Sequence, residues 1–110
     1  MLIGYVSDAP RWVLLRAHAA SVTERLGFLL AHRPGFVAPP VSARELATLD
    51  QLCGGQLAVH VISGGADADQ AKDGDRTDAA HRYRRTLEYV ALLRRTWTET
   101  APFEDDGAFY

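Results

Sequence analysis

The run QLAVHVISGG, residues 56–65, puts a titratable ring inside one of the most apolar stretches of the chain and then ends on residues with little or no side chain. In an extended strand His60 shares a face with Ala58 and Ile62, opposite Val59, Val61 and Ser63. A neutral imidazole can donate or accept a hydrogen bond to a heterocycle without placing a full charge in a low dielectric. The competing role is that of a core histidine bonded to a backbone carbonyl. Ser63-Gly64-Gly65 lets backbone N–H groups approach an anion closely, the alternative being a plain turn after a strand. Taken together, these residues predict a ligand site at the carboxyl end of a parallel strand, suited to a phosphate or a flat ring.

Other chemistries find little support. His18, His32, His60 and His81 do not fall at metal-ligand spacing, and the single cysteine, Cys53, offers no second thiol, so no metal site is expected. The glycines form neither a Walker loop nor a dinucleotide fingerprint. Ser7-Asp8 and the other serines lack a nucleophile-elbow context, which argues against a hydrolase triad. A formal net charge of -2 points to no nucleic-acid surface. One cysteine excludes an internal disulfide framework and fits a reducing compartment. The opening MLIGYVSDAP has no basic leader region and only a short apolar run, so neither a signal peptide nor a membrane span is expected. A cytoplasmic location follows from these as an expectation.

The elements that must hold the candidate groups alternate along the chain. LIGYV (2–6) is a short strand followed by a turn, SDAP. From Arg11 to Val22 a helix places Trp12, Leu15, Ala19 and Val22 on one face. LGFLLA (26–31) is a second strand ending at HRPG. Pro39-Pro40 introduces a helix with Leu46, Leu49 and Leu52 at threes; Ser42 and Glu45 have capping-box spacing, and Gly54-Gly55 stops it. QLAVHVISGG is the third strand. A polar stretch, GGADADQAKDGDRTD, leads to a long helix from about Asp78 to Trp97 with Tyr83, Leu87, Val90 and Trp97 on one stripe. Its arginines are expected to form a solvated face with Glu88 as a partner; Arg82 stands apart because it precedes Tyr83 at the helix start. PFEDDGAFY is expected to close as a small hairpin about Asp106-Gly107. The predicted fold is α/β, with three parallel strands covered by helices on each side. Two bare edges make it an incomplete domain, a slice of a larger protein.

The ordered set FLLAHRPG, ARELATLDQLCGGQLAVHVISGG, DGD and HRYRRTLEYVALLRRTW resembles the bacterial luciferase-like flavin-dependent monooxygenases, most closely the alkanesulfonate monooxygenase branch, from about Leu2 to Tyr110. The tail PFEDDGAFY is similar to that branch's segment after the helix. The resemblance implies a (β/α)8 TIM-type barrel binding reduced FMN at the carboxyl ends of its strands, with a separate flavin reductase as partner. It further implies oxygen activation on that flavin in a water-shielded cavity and, in the alkanesulfonate branch, conversion of a small-molecule sulfonate to an aldehyde and sulfite.

Carried over residue by residue, His60 stands where many relatives have an asparagine facing the flavin, Ser63 where they have a threonine, and Tyr83 where a tyrosine contacts the cofactor. Asp8 and His32, after the first and second strands, match pocket-lining positions more loosely. Ala79 replaces a histidine common four residues before that tyrosine, and Pro40 stands where Ser or Thr is usual, which moves the expected cap to Ser42. Residues 1–110 are thus expected to be a partial monooxygenase domain, roughly strands two to four of the barrel, with no catalytic residue of the family, no nucleic-acid or membrane partner, and a homo-oligomeric parent. The rivals are a deazaflavin-dependent oxidoreductase on the same barrel and a small α/β binding module without chemistry. Hydride transfer without oxygen consumption marks the first; cooperative two-state unfolding of the isolated chain marks the second.

Overall fold

A computed structural model describes residues 1–5, 7–8 and 12–110; Val6, Ala9, Pro10 and Arg11, together with the side chains of Ile3 and Trp12, lie outside the described residues. The elements run β1 (Leu2–Ile3), α1 (Trp12–Ser21), β2 (Phe28–His32), α2 (Pro39–Leu52), β3 (Leu57–Val61), α3 (Asp67–Lys72) and α4 (Ala79–Thr98). The strands form one parallel sheet in sequence order β1-β2-β3, with Leu2 opposite Leu29, Leu30 opposite Val59 and Ala31 opposite His60. Each strand therefore follows its neighbour through a crossover without a reversal of order, the winding found in barrels.

Period-two alternation sorts the sheet into two unlike faces. Leu30, Leu57 and Val59 pack with Val13 of α1, Ala43 and Leu46 of α2, and Tyr89 and Leu93 of α4 into the core. Leu29, Ala58 and His60 occupy the opposite face and are exposed. The expectation of helices on both sides is thereby corrected: a sequential parallel order carries its crossovers to one side, leaving a two-layer slab whose Cα atoms span 40 × 39 × 15 Å.

Several local expectations also change. In α1 the inward residues are Arg16 and Ala20, while Leu15 and Val22 are exposed. Arg16 reaches the sheet because its guanidinium donates to the Leu29 carbonyl at 3.0 Å and lies over the Phe28 ring. In α4 the core stripe is Arg82, Tyr89, Leu92 and Leu93, and Tyr83, Leu87 and Trp97 lie on the exposed flank. The capping box at Ser42 does not form. Two prolines, which have no N–H to satisfy and a helical φ, start α2 at Pro39 behind Ala38, so Ser42 is buried inside the helix. Of the α4 arginines, Arg84 and Arg94 are exposed as expected, but none pairs with Glu88 among the described residues: Arg82 pairs with Asp67, Arg85 with Asp75, and Arg95 with Glu99 and Asp105.

The polar stretch after β3 contains the short helix α3, which the sequence did not signal. The terminal hairpin is absent; residues 99–110 carry no strand. Its backbone donors have another acceptor, because the Glu88 carboxylate receives the N–H groups of Ala108, Phe109 and Tyr110 at 2.9–3.0 Å. Tyr110 then packs edge-on against Tyr89. At Gly35 φ is +105°, and a Cβ would fall on the Arg85 guanidinium. Gly35→Ala is therefore expected to lower stability by about 1–3 kcal/mol, read from chemical denaturation.

Candidate functional site

The carboxyl ends of the three strands lie together, and two arginines organise them. Arg33, directly after β2, is buried. Its guanidinium donates to Ser7 Oγ at 3.2 Å and to Asp69 at 3.3 Å, and pairs closely with Asp73. It lies 4.0 Å from the Tyr5 ring centre and 4.9 Å from that of Phe36. Ser7 in turn donates to Asp73 at 2.8 Å and to the Asp69 carbonyl at 3.0 Å. The end of β1, the end of β2 and α3 are thus tied through one cation with two carboxylates and two aromatic faces around it. Asp75, further along, is buried against Arg85. Burial acts to raise its carboxyl, but hydrogen bonds from Thr77 and Arg85 outweigh that and hold it at about 2.

Each residue singled out from sequence can now be located. His60 projects from the exposed face of the sheet. Ser63 is half-buried just beyond β3. No protein acceptor among the described residues receives the backbone N–H of Ser63, Gly64 or Gly65. Tyr83 is 59% exposed just past the first turn of α4, beside Arg82, whose guanidinium reaches the Gly65 carbonyl. Asp8 is exposed and accepts from Lys72 Nζ at 2.6 Å, so it belongs to the contact between the β1 end and α3.

His32 corrects its sequence-based placement. It shares the helix-facing side of β2 with Leu30, is 3% exposed, and its Nε2 lies 2.9 Å from the Tyr89 hydroxyl. One residue of strand phase separates it from Ala31, the neighbour of His60, so the two histidines occupy opposite faces of the sheet. Burial depresses His32 to about 4 and raises the Tyr89 hydroxyl to about 12. The His32 backbone carbonyl accepts from Ile62 N–H at 2.9 Å, which ties the ends of β2 and β3 together. Sequence reasoning missed Arg33 and Gln70. Arg33 stood in plain view in HRPG, beside the Pro-Gly turn that ends a strand.

What the arrangement offers is an open sheet face bearing one imidazole and, just past the end of β3, backbone donors with no acceptor among the described residues. The model of the luciferase-like monooxygenases matches residues 3–110. The chain belongs to that family. Among solved structures, the oxygenating constituent of 3,6-diketocamphane monooxygenase from the CAM plasmid of Pseudomonas putida, a type II Baeyer-Villiger monooxygenase in complex with FMN, superposes with a TM-score of 0.88 at 22% identity, over 100% of this chain and 32% of that one. EDTA monooxygenase from Chelativorans sp. BNC1 gives 0.75 at 18% identity, over 89% and 27% of the two chains. DmoA from Hyphomicrobium sulfonivorans gives 0.66 at 27% identity, over 82% and 20%. The chain thus spans a third or less of the length of these relatives. No described helix is long and apolar enough to cross a membrane.

Proposed function

We propose that residues 1–110 form part of the barrel of an FMN-dependent two-component monooxygenase, acting on alkanesulfonates or similar organosulfur compounds in the cytoplasm, with reduced FMN supplied by a separate reductase. The observation that carries the reading is the open face of the sheet. An imidazole stands exposed on it, and the adjoining strand end leaves three consecutive backbone N–H groups without an acceptor among the described residues. Polar groups of that kind fit the edge or phosphate of a flavin. In this reading His60 supplies a neutral hydrogen-bonding group, Ser63 and the Gly64 and Gly65 amides hold an oxygen or ring nitrogen, Tyr83 covers an edge of the ring, and Asp8 stays at the rim. When bound, the flavin supplies the redox chemistry with oxygen; the residues named here orient it and exclude water.

A three-stranded, one-sided sheet encloses a flat ring from one side only. The isolated chain is therefore expected to show no turnover and to quench FMN fluorescence with a dissociation constant weaker than micromolar. His60→Ala should weaken it further by several-fold, the effect of losing one hydrogen bond. Submicromolar binding by the wild type, or binding indifferent to His60, overturns this assignment. The sulfonate preference rests on the resemblance of the ordered segments FLLAHRPG, ARELATLDQLCGGQLAVHVISGG, DGD and HRYRRTLEYVALLRRTW and of the tail PFEDDGAFY to the alkanesulfonate branch. Its test is sulfite release by the complete barrel with a flavin reductase present.

A further inference from the structure

We infer that Arg82 is a positioning residue that locks the Ser63–Gly65 turn to the first turn of α4 and so sets where Tyr83 stands relative to the end of β3. The inference rests on the flavin reading only for what the locked parts hold. The Arg82 guanidinium is buried, an unusual place for a side chain at a helix start. It donates to the Gly65 carbonyl at 3.3 Å and to Asp67 at 2.7 Å, and it also binds the Thr77 carbonyl. One planar cation thereby spans the strand-end turn, the start of α3 and the residue before the α4 cap. Asp78, which caps α4 by accepting from His81 N–H at 2.7 Å, fixes the same turn of helix. Lysine at this position keeps the charge but loses the planar fork that lets one group reach several acceptors.

A second contact packs against the same turn. Gln70 of α3 is fully buried, and its amide occupies the space beside Gly64 where a Cβ would lie, 2.6 Å from the nearest amide atom. Gly64 has φ +103°, so both its backbone angle and its missing side chain are used. The amide beside Gly64 packs against the turn, and the guanidinium on the Gly65 carbonyl supplies its hydrogen bond to α4. Tyr83, one residue further on, carries no such anchor of its own and is placed by its neighbour.

The test compares the full chain with Arg82→Gln and Arg82→Lys by hydrogen exchange with mass spectrometry and by FMN fluorescence quenching. Loss of charge-assisted bonds is expected to raise exchange about tenfold in peptides covering residues 66–72 and 79–84, where Asp69 and Gln70 N–H bond to the Ala66 carbonyl and Arg82 N–H to that of Asp78, with β2 and α2 unchanged. The FMN dissociation constant should rise about tenfold in Arg82→Gln and by less in Arg82→Lys. Unchanged exchange at 66–72, or unchanged FMN affinity in a wild type that does bind, overturns the inference. If Arg82→Gln loses protection throughout, Asp67→Asn, at a carboxylate 75% exposed, removes one arm of the lock and must show the same local effect. A wild type that quenches no FMN fluorescence removes the flavin reading instead, and exchange alone then decides the role of Arg82.

Discussion

Lowering the pH from 7 to 4 is expected to remove about 3 kcal/mol of stability through His32 alone. Burial holds its folded-state pKa at about 4, against an ordinary value of 6.5. Between those values the unfolded chain binds a proton that the folded chain refuses, so stability falls with pH across that window. It is fully present above about 6.5 and exhausted below the folded value. The cause is local. His32 sits on the helix side of β2 against the Tyr89 hydroxyl, where an imidazolium would be charged in a low dielectric. Urea denaturation from pH 7.5 to 4 provides the measurement, and His32→Gln should flatten the slope. A wild type whose stability does not change between pH 6.5 and 4.5 contradicts the assignment. Asp75 extends acid lability downward: held at about 2 in the folded state, it contributes stability above its ordinary 3.8 that is lost as pH falls toward 2.

A contrast between neighbouring leucines on β2 has the second large effect. Leu30→Ala should cost about 2–5 kcal/mol, because Leu30 is 0% exposed and sits among Ala43, Leu46, Tyr89 and Leu93, where a truncated side chain leaves a cavity. Leu29→Ala should cost less than about 1 kcal/mol, because Leu29 faces the uncovered side and is 40% exposed. The two positions share a strand, a residue type and a backbone environment, so the difference isolates the one-sided covering of the sheet. Equal losses, read from denaturant midpoints, would show that something covers the second face, self-association being the first cause to test by dilution.

The alternation of short apolar runs with helical periodicity was legible in the sequence and determined the α/β class, the parallel pairing and the extent of α2 between Pro39 and Gly54. The elements and their ends depend on interactions within one turn or one strand, which the chain encodes locally, and the parallel pairing follows because each strand is joined to the next through a helix. The family likeness, carried by ordered segments over the whole length, was legible for the same reason. Orientation was not. Whether Leu15 or Arg16, Leu87 or Tyr89, His32 or His60 turns inward depends on which side the crossovers take, and that choice is made by packing between distant segments. Periodicity alone ranked the stripes by hydrophobicity. Tertiary structure instead buried Arg16, Arg33 and Arg82, because each guanidinium finds carbonyls, carboxylates or aromatic faces contributed by other elements. The hairpin expected at the tail failed likewise, since Glu88, some twenty residues earlier in the chain, supplies the acceptor that a partner strand would have provided.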